Sequence, residues 1–187
     1  MKTKDSRIYD IVFVGVLAAM VYVVTLFRFP LLGSKVHFAN AMCLLSGLLM
    51  GPVAGGLAAG FGSALYDVLL GGYDFIQCAI TFVSKFAMAW VCAKIAFAGG
   101  AEARFHGRNI VSCVIGALTY VALYMLKTFV YQMFVYGYPM ETVLLTMGSK
   151  LPASLINAVA AMIAAPIIYT ALRLALERSG ILKKMRE

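Results

Sequence analysis

Polar and aromatic residues run in stripes through an otherwise apolar chain, and the stripes follow helical spacing. Asp74, Gln77, Thr81 and Lys85 stand three and four apart, so they share one helix face. Tyr120, Tyr124, Lys127 and Tyr131 repeat the pattern, and Lys150, Ser154 and Asn157 do so again. His37 and Asn40 open another apolar segment, Asp67 stands near the end of the next, and Tyr73 adjoins Asp74. These residue types suit binding. Tyrosine presents a flat apolar face with a hydroxyl at its edge, fit for stacking on a small aromatic ring. Asparagine and glutamine match paired donors and acceptors on ring nitrogens and exocyclic amines.

Each residue also has a purely structural reading. Asp67 and Lys85 neutralise each other as an internal ion pair. Lys127 and Lys150 extend to the membrane surface. Tyr131, Tyr136 and Tyr138 form an interfacial aromatic belt, and His37 is a surface residue. Asn157 is the least easily dismissed, because a buried amide requires partners.

Bond-making chemistry finds little support. The chain has no Walker-type phosphate loop, no zincin helix motif, no nucleophile elbow and no paired carboxylates. His37 and His106 fall on opposite sides of the predicted membrane and share no metal. Cys43, Cys78, Cys92 and Cys113 stand alone in apolar segments and read as small buried hydrophobes. No catalytic residue, metal ligand or cofactor is assigned, and the chain reads as a non-enzyme.

The elements that position the stripes are membrane helices. Of 187 residues, 63% are hydrophobic, and the mean hydropathy is +0.90, where a soluble domain holds about 45–50% apolar residues. One membrane domain over residues 1–187 is expected, an all-α bundle of six transmembrane helices. The spans fall at about 8–29, 37–50, 53–70, 75–98, 109–136 and 151–175. The second is short, about 14 residues or roughly 21 Å: it is tilted, shielded by neighbours, or not fully spanning. Residues 140–176 are too long for one crossing, and Gly148-Ser149-Lys150-Leu151-Pro152 offers a break before the sixth span. No strand-like alternation stands out. The apolar N-terminal segment lacks a small-residue cleavage site and reads as a retained first span.

The net charge of +8 follows the same layout. Lys2, Lys4 and Arg7 precede the first span, Lys94, Arg104 and Arg108 surround the middle polar loop, and Arg173, Arg178, Lys183, Lys184 and Arg186 lie at the C-terminal end. On the other side the basic residues near the span ends are few, Arg28 and Lys35 around the first outer loop and Lys150 just before the sixth span. This is a positive-inside pattern, so both termini are expected in the cytoplasm and nucleic acid is not needed to explain the charge. The polar stripes then lie mostly in the outer half of the membrane.

Small residues form a further pattern. Gly51, Gly55, Ala59 and Ser63 recur every fourth position with Gly56, Gly60 and Ala64 beside them, a smooth strip that permits close helix contact. Gly15 and Ala19, with Ala18 alongside, make a second strip that packs internally or against a partner helix.

The run VHFANAMCLLSGLLMGPVAGGLAAGFGSALYDVLLGGYDF, followed by TFVSK, resembles the substrate-binding S component of energy-coupling factor (ECF) transporters. It is similar to the group with riboflavin, hydroxymethylpyrimidine and pyridoxine carriers. The matching features are His37 and Asn40 at the start of span two, the Leu-Met-Gly-Pro turn, the glycine-rich third span ending in Ala-Leu-Tyr-Asp, and Thr81 with Lys85. The resemblance implies high-affinity binding of a vitamin or precursor near the outer face of the bacterial cell (cytoplasmic) membrane. It also implies a transmembrane coupling subunit, EcfT, and two cytosolic ATPase subunits as partners, with the S component toppling in the membrane to deliver its ligand. The family's alanine-x-x-x-alanine docking motif corresponds here to Gly15-Val-Leu-Ala-Ala19, with one alanine replaced by glycine.

If Lys127 and Lys150 both face inward, an anionic ligand is favoured. If they extend outward or pair with Glu141, a neutral pyrimidine, pyridine or flavin type of ring fits better, and the sequence reading leans that way. The alternative function is a stand-alone secondary transporter or carrier of a small metabolite, though neither inverted repeats nor broken helices are evident.

Overall fold

The apolar segments become helices in the computed structural model, which describes residues 4–31 and 34–180. Helix α1 spans Lys4–Leu26, α2 Ala39–Met50, α3 Pro52–Tyr66, α4 Phe75–Ala96, α5 His106–Val130 and α6 Met140–Arg178. A π-helical turn extends α3 over Asp67–Gly71, and another extends α5 over Tyr131–Val135. Among the described residues, every helix except α2 is long and apolar enough to cross a membrane. The fold is an all-α membrane bundle of six helices. Lys2, Lys183, Lys184 and Arg186 lie outside the described residues, as do the side chains of Lys4 and Arg7.

The short second segment has a clear place. Helix α2 is apolar apart from Asn40 and Ser46, and Ala39 through Leu49 are all buried, as expected of a helix without an extended polar face. It touches α1, α3, α4, α5 and α6. The 12-residue α2 is about 18 Å long and is shielded by its longer neighbours. Leu44, Leu45, Leu48, Met88, Cys92 and Cys113 pack the core around it. All four cysteines are buried and free.

The small-residue strip of α3 forms an internal seam. A Cβ on Gly55 would run into the Ser46 carbonyl of α2, and one on Gly62 into the Ala18 carbonyl of α1. Gly56 and Gly60 instead receive the rings of Phe86 and Phe82 from α4. The α2–α3 turn is made by Gly51 at φ 79°, a conformation that disfavours any side chain, and Pro52 starts α3 at its first turn.

Two features depart from the sequence expectation. The segment following α1 is not a simple loop: Arg28–Leu31 (β1) and Ser34–His37 (β2) pair antiparallel, with Arg28 opposite His37 and Pro30 opposite Lys35. Four-residue strands leave almost no alternation to detect, and Pro30 biases Phe29 towards extended backbone. The predicted break at Gly148–Pro152 is absent, and α6 continues unbroken through Pro152 and Pro166. Ser149 does not cap a new helix, because its hydroxyl donates backwards to the Thr146 carbonyl at 2.9 Å. One missing N–H at Pro152 is tolerated where neighbouring helices hold both sides of the break.

Candidate substrate pocket

At the end of the bundle carrying the β1–β2 hairpin, the helices enclose a cavity of about 200 Å³. Helix α4 contributes Thr81, Ser84 and Lys85, α5 contributes Tyr120, Tyr124 and Lys127, and α6 contributes Lys150, Ser154 and Asn157. Ser63, Tyr66 and Asp67 come from the end of α3, Tyr73 from the following turn, and Thr25 from α1. The hairpin supplies Arg28, Ser34, Lys35 and His37. Three helical stripes therefore meet in space because the period that aligns residues on one helix also aims them at one neighbour.

Asn157 anchors the hairpin. Its Oδ1 accepts the His37 backbone N–H at 2.8 Å, and its Nδ2 donates to the Lys35 carbonyl at 2.8 Å. One acceptor site and one N–H of the amide are thus spent on backbone, holding β2 against α6, and Asn157 still lines the cavity. On the opposite wall the Tyr124 hydroxyl and Ser34 Oγ lie 3.3 Å apart, a second tie between the hairpin and the helices.

Lys85 is buried at the base of the cavity. Its ammonium donates to Asn40 Oδ1 and rests 3.7 Å from the centroid of the Tyr120 ring, and Tyr120 stacks with Tyr124 at 6.1 Å. Asn40 lies behind Lys85 and does not line the cavity. Asp67 lines the same cavity, but it forms no salt bridge with Lys85 among the described residues. Lys127 and Lys150 both reach the cavity wall, and neither pairs with Glu141. Lys35 and Lys127 lie 5.8 and 5.6 Å from the Tyr73 ring centroid, and Arg28 lies 4.7 Å from that of Tyr66.

Asp74, Gln77 and Tyr131 lie outside the cavity. Asp74 is the N-cap of α4: its carboxylate accepts the Gln77 backbone N–H and the Gln77 side-chain amide, each at 2.8 Å, and the Tyr131 hydroxyl at 3.3 Å. The backbone bond from Gln77 leads the effects that hold the Asp74 carboxyl below its usual range. His37 is pushed down to about 3 by burial, followed by the charges of Lys85, Arg28 and Lys35, so its imidazole is neutral. Arg28, Ser34, Lys35 and Tyr66 are lining residues that the helical stripes did not reveal. The signal available for two of them was charge, since Arg28 and Lys35 are the basic residues around the first outer loop.

No group of three or more His, Cys, Asp or Glu side chains suited to a metal occurs among the described residues. On α1, Gly15 has nothing within 4 Å of a Cβ placed on it, and it shares an exposed face with Val12, Val16 and Ala19. Ala18 is turned towards α3 through its contact with Gly62.

A helical membrane bundle with a polar, aromatic cavity at one end defines a solute-binding membrane protein. The family model described as "ECF-type riboflavin transporter, S component" matches residues 5–174, and the chain belongs to that family. It is the substrate-binding subunit of an ECF transporter and a multi-pass membrane protein. A solved structure described as "Structure and mechanism of the S component of a bacterial ECF transporter" has a TM-score of 0.64 and 18% sequence identity, covering 89% of this chain and 96% of that one. No curated protein matches the sequence.

Proposed function

We propose that this chain captures a vitamin or vitamin precursor with a small heteroaromatic ring at the outer face of the bacterial cytoplasmic membrane. Uptake is energised by two separate cytosolic ATPase subunits acting through the transmembrane coupling subunit EcfT. The observation that carries this reading is the cavity itself. It joins a stacked tyrosine pair to hydroxyl, amide and ammonium groups inside a bundle of the ECF S component family. The tyrosines hold the ring by its face, and the polar groups around it read its edge. The hairpin forms part of the cavity wall, and both termini lie on the cytoplasmic side, in keeping with the basic residues at that end. Gly15 and Ala19 give α1 an open, small-residue face on which EcfT docks.

Mass spectrometry of small molecules that co-purify with the detergent-solubilised chain tests the substrate reading. The expected result is a single-ring or fused-ring heteroaromatic released on denaturation. Uptake in cells tests the energetics: import should stop when the coupling subunit and ATPases are deleted. Continued import would instead establish a stand-alone carrier.

A further inference from the structure

The cavity is cationic. Arg28, Lys35, Lys85, Lys127 and Lys150 line it, against Asp67 as the one lining carboxylate. Among the described residues none of these five cations forms a salt bridge. Four of them lie over tyrosine rings. Cation–π contact offsets only part of the cost of withdrawing a cation from water. Lys150 lacks even that support, and one turn along α6 the buried Ser154 Oγ has no hydrogen-bond partner. His37 Nδ1, also at the cavity, is likewise buried and unpartnered. Unpaired positive charge and unmet polar atoms around one cavity are satisfied together by an anion with acceptor oxygens.

Size restricts the ligand further. The cavity holds about 200 Å³, and a cavity of roughly 150 Å³ accepts a benzene ring. There is space for one ring with a small substituent.

Resting on the reading of this cavity as the substrate site, we propose that the ligand is a single-ring aromatic anion. Its ring lies against the Tyr120–Tyr124 pair and its carboxylate or phosphate is neutralised by the lining lysines. The neutral ring favoured from sequence presupposed that Lys127 and Lys150 turn away or pair with Glu141, and both instead reach the cavity.

Calorimetric titration of the purified full chain in detergent tests this with matched pairs. The probes are pyridine-3-carboxylate against pyridine-3-carboxamide, and pyridoxine 5′-phosphate against pyridoxine, with riboflavin as the neutral three-ring compound. The acid of at least one pair should bind tighter than its neutral partner by roughly tenfold or more, the effect of a charge-assisted hydrogen bond. In Lys127→Gln and Lys150→Gln that preference should shrink, while the ligand-free melting temperature stays at or above that of the parent. Equal or tighter binding of the neutral partners, or of riboflavin, overturns the charge assignment and leaves the vitamin-binding reading in place. An acid preference unchanged in both variants overturns the role given to the lysines. Binding of no probe, combined with no co-purifying small molecule, overturns this proposal and the proposed function together.

Discussion

The glycine seam of α3 and the cavity at its end are built from the same helices by opposite packing rules. Along the seam, side chains are removed until backbones touch: Gly47 of α2 meets the Ala89 carbonyl of α4, and Gly55 and Gly62 of α3 meet the Ser46 and Ala18 carbonyls. Around the cavity, long side chains keep the helices apart, and four of the five cationic heads lie over tyrosine rings. Helix α4 does both within little more than one turn, since Lys85 projects into the cavity while Ala89 closes against α2. The seam has no alternative arrangement of similar energy, because a backbone carbonyl cannot step aside. The cavity wall can rearrange, because lysine and tyrosine ends move without moving the helix. The difference teaches that one bundle can close its helices backbone to backbone along a seam and hold them apart with side chains around the adjoining cavity.

The largest expected effect would break the seam. Gly55→Leu or Gly62→Leu should prevent a folded bundle, since overpacking costs about 1–3 kcal/mol even where neighbours can yield, and carbonyls here cannot. A single sharp size-exclusion peak with an unchanged melting temperature would contradict the seam. Next comes the base of the cavity. Lys85→Met removes the cation over Tyr120 and leaves Asn40 without its donor, so ligand affinity should fall by roughly 100-fold. Titration of the co-purifying ligand measures it, and a loss below a few-fold would place the ligand away from Lys85.

A smaller effect belongs to the hairpin. Asn157→Leu cuts both bonds to β2 while leaving the helices packed. Each net hydrogen bond is worth about 1 kcal/mol, so ligand release measured by stopped flow should quicken roughly 30-fold, with a fall of only roughly a few degrees in melting temperature. Acid provides a further probe of the cavity. The His37 pKa in the fold, about 3, lies below its ordinary 6.5, so the unfolded chain takes up the proton first. Its contribution to stability is therefore complete above pH 6.5 and is lost as pH falls towards 3. The melting temperature should drop between pH 7 and 4.5, and His37→Asn should flatten that slope. Asp74, held below the usual carboxylate range, yields only at lower pH. The smallest effect on the chain itself is at α1: Gly15→Leu should leave melting and ligand affinity unchanged, yet weaken pull-down of EcfT.

Much of this site was legible because helical periodicity links sequence spacing to a shared face. Thr81 with Lys85, Tyr124 with Lys127, and Lys150 with Asn157 were paired that way, and all six line the cavity. The same rule also placed Asp74, Gln77 and Tyr131 at the site, although they form the cap of α4 outside it. Periodicity reports a face and not a depth, and these three sit at or beyond the helix ends. Arg28, Ser34 and Lys35 escaped because their strands are too short to show a period. Gly148 to Pro152 misled for a related reason: local helix-breaking residues were outweighed by packing along both sides of α6.

Hydropathy and residue order were enough to establish a membrane bundle, its six apolar segments and the family motifs, since apolar length and helical period act within one continuous segment. Folding in three dimensions was needed to put α2 in the interior, to bind the hairpin to Asn157, and to gather five cations around one cavity. Those outcomes depend on which faces of distant segments meet, and on partners brought together from across the chain.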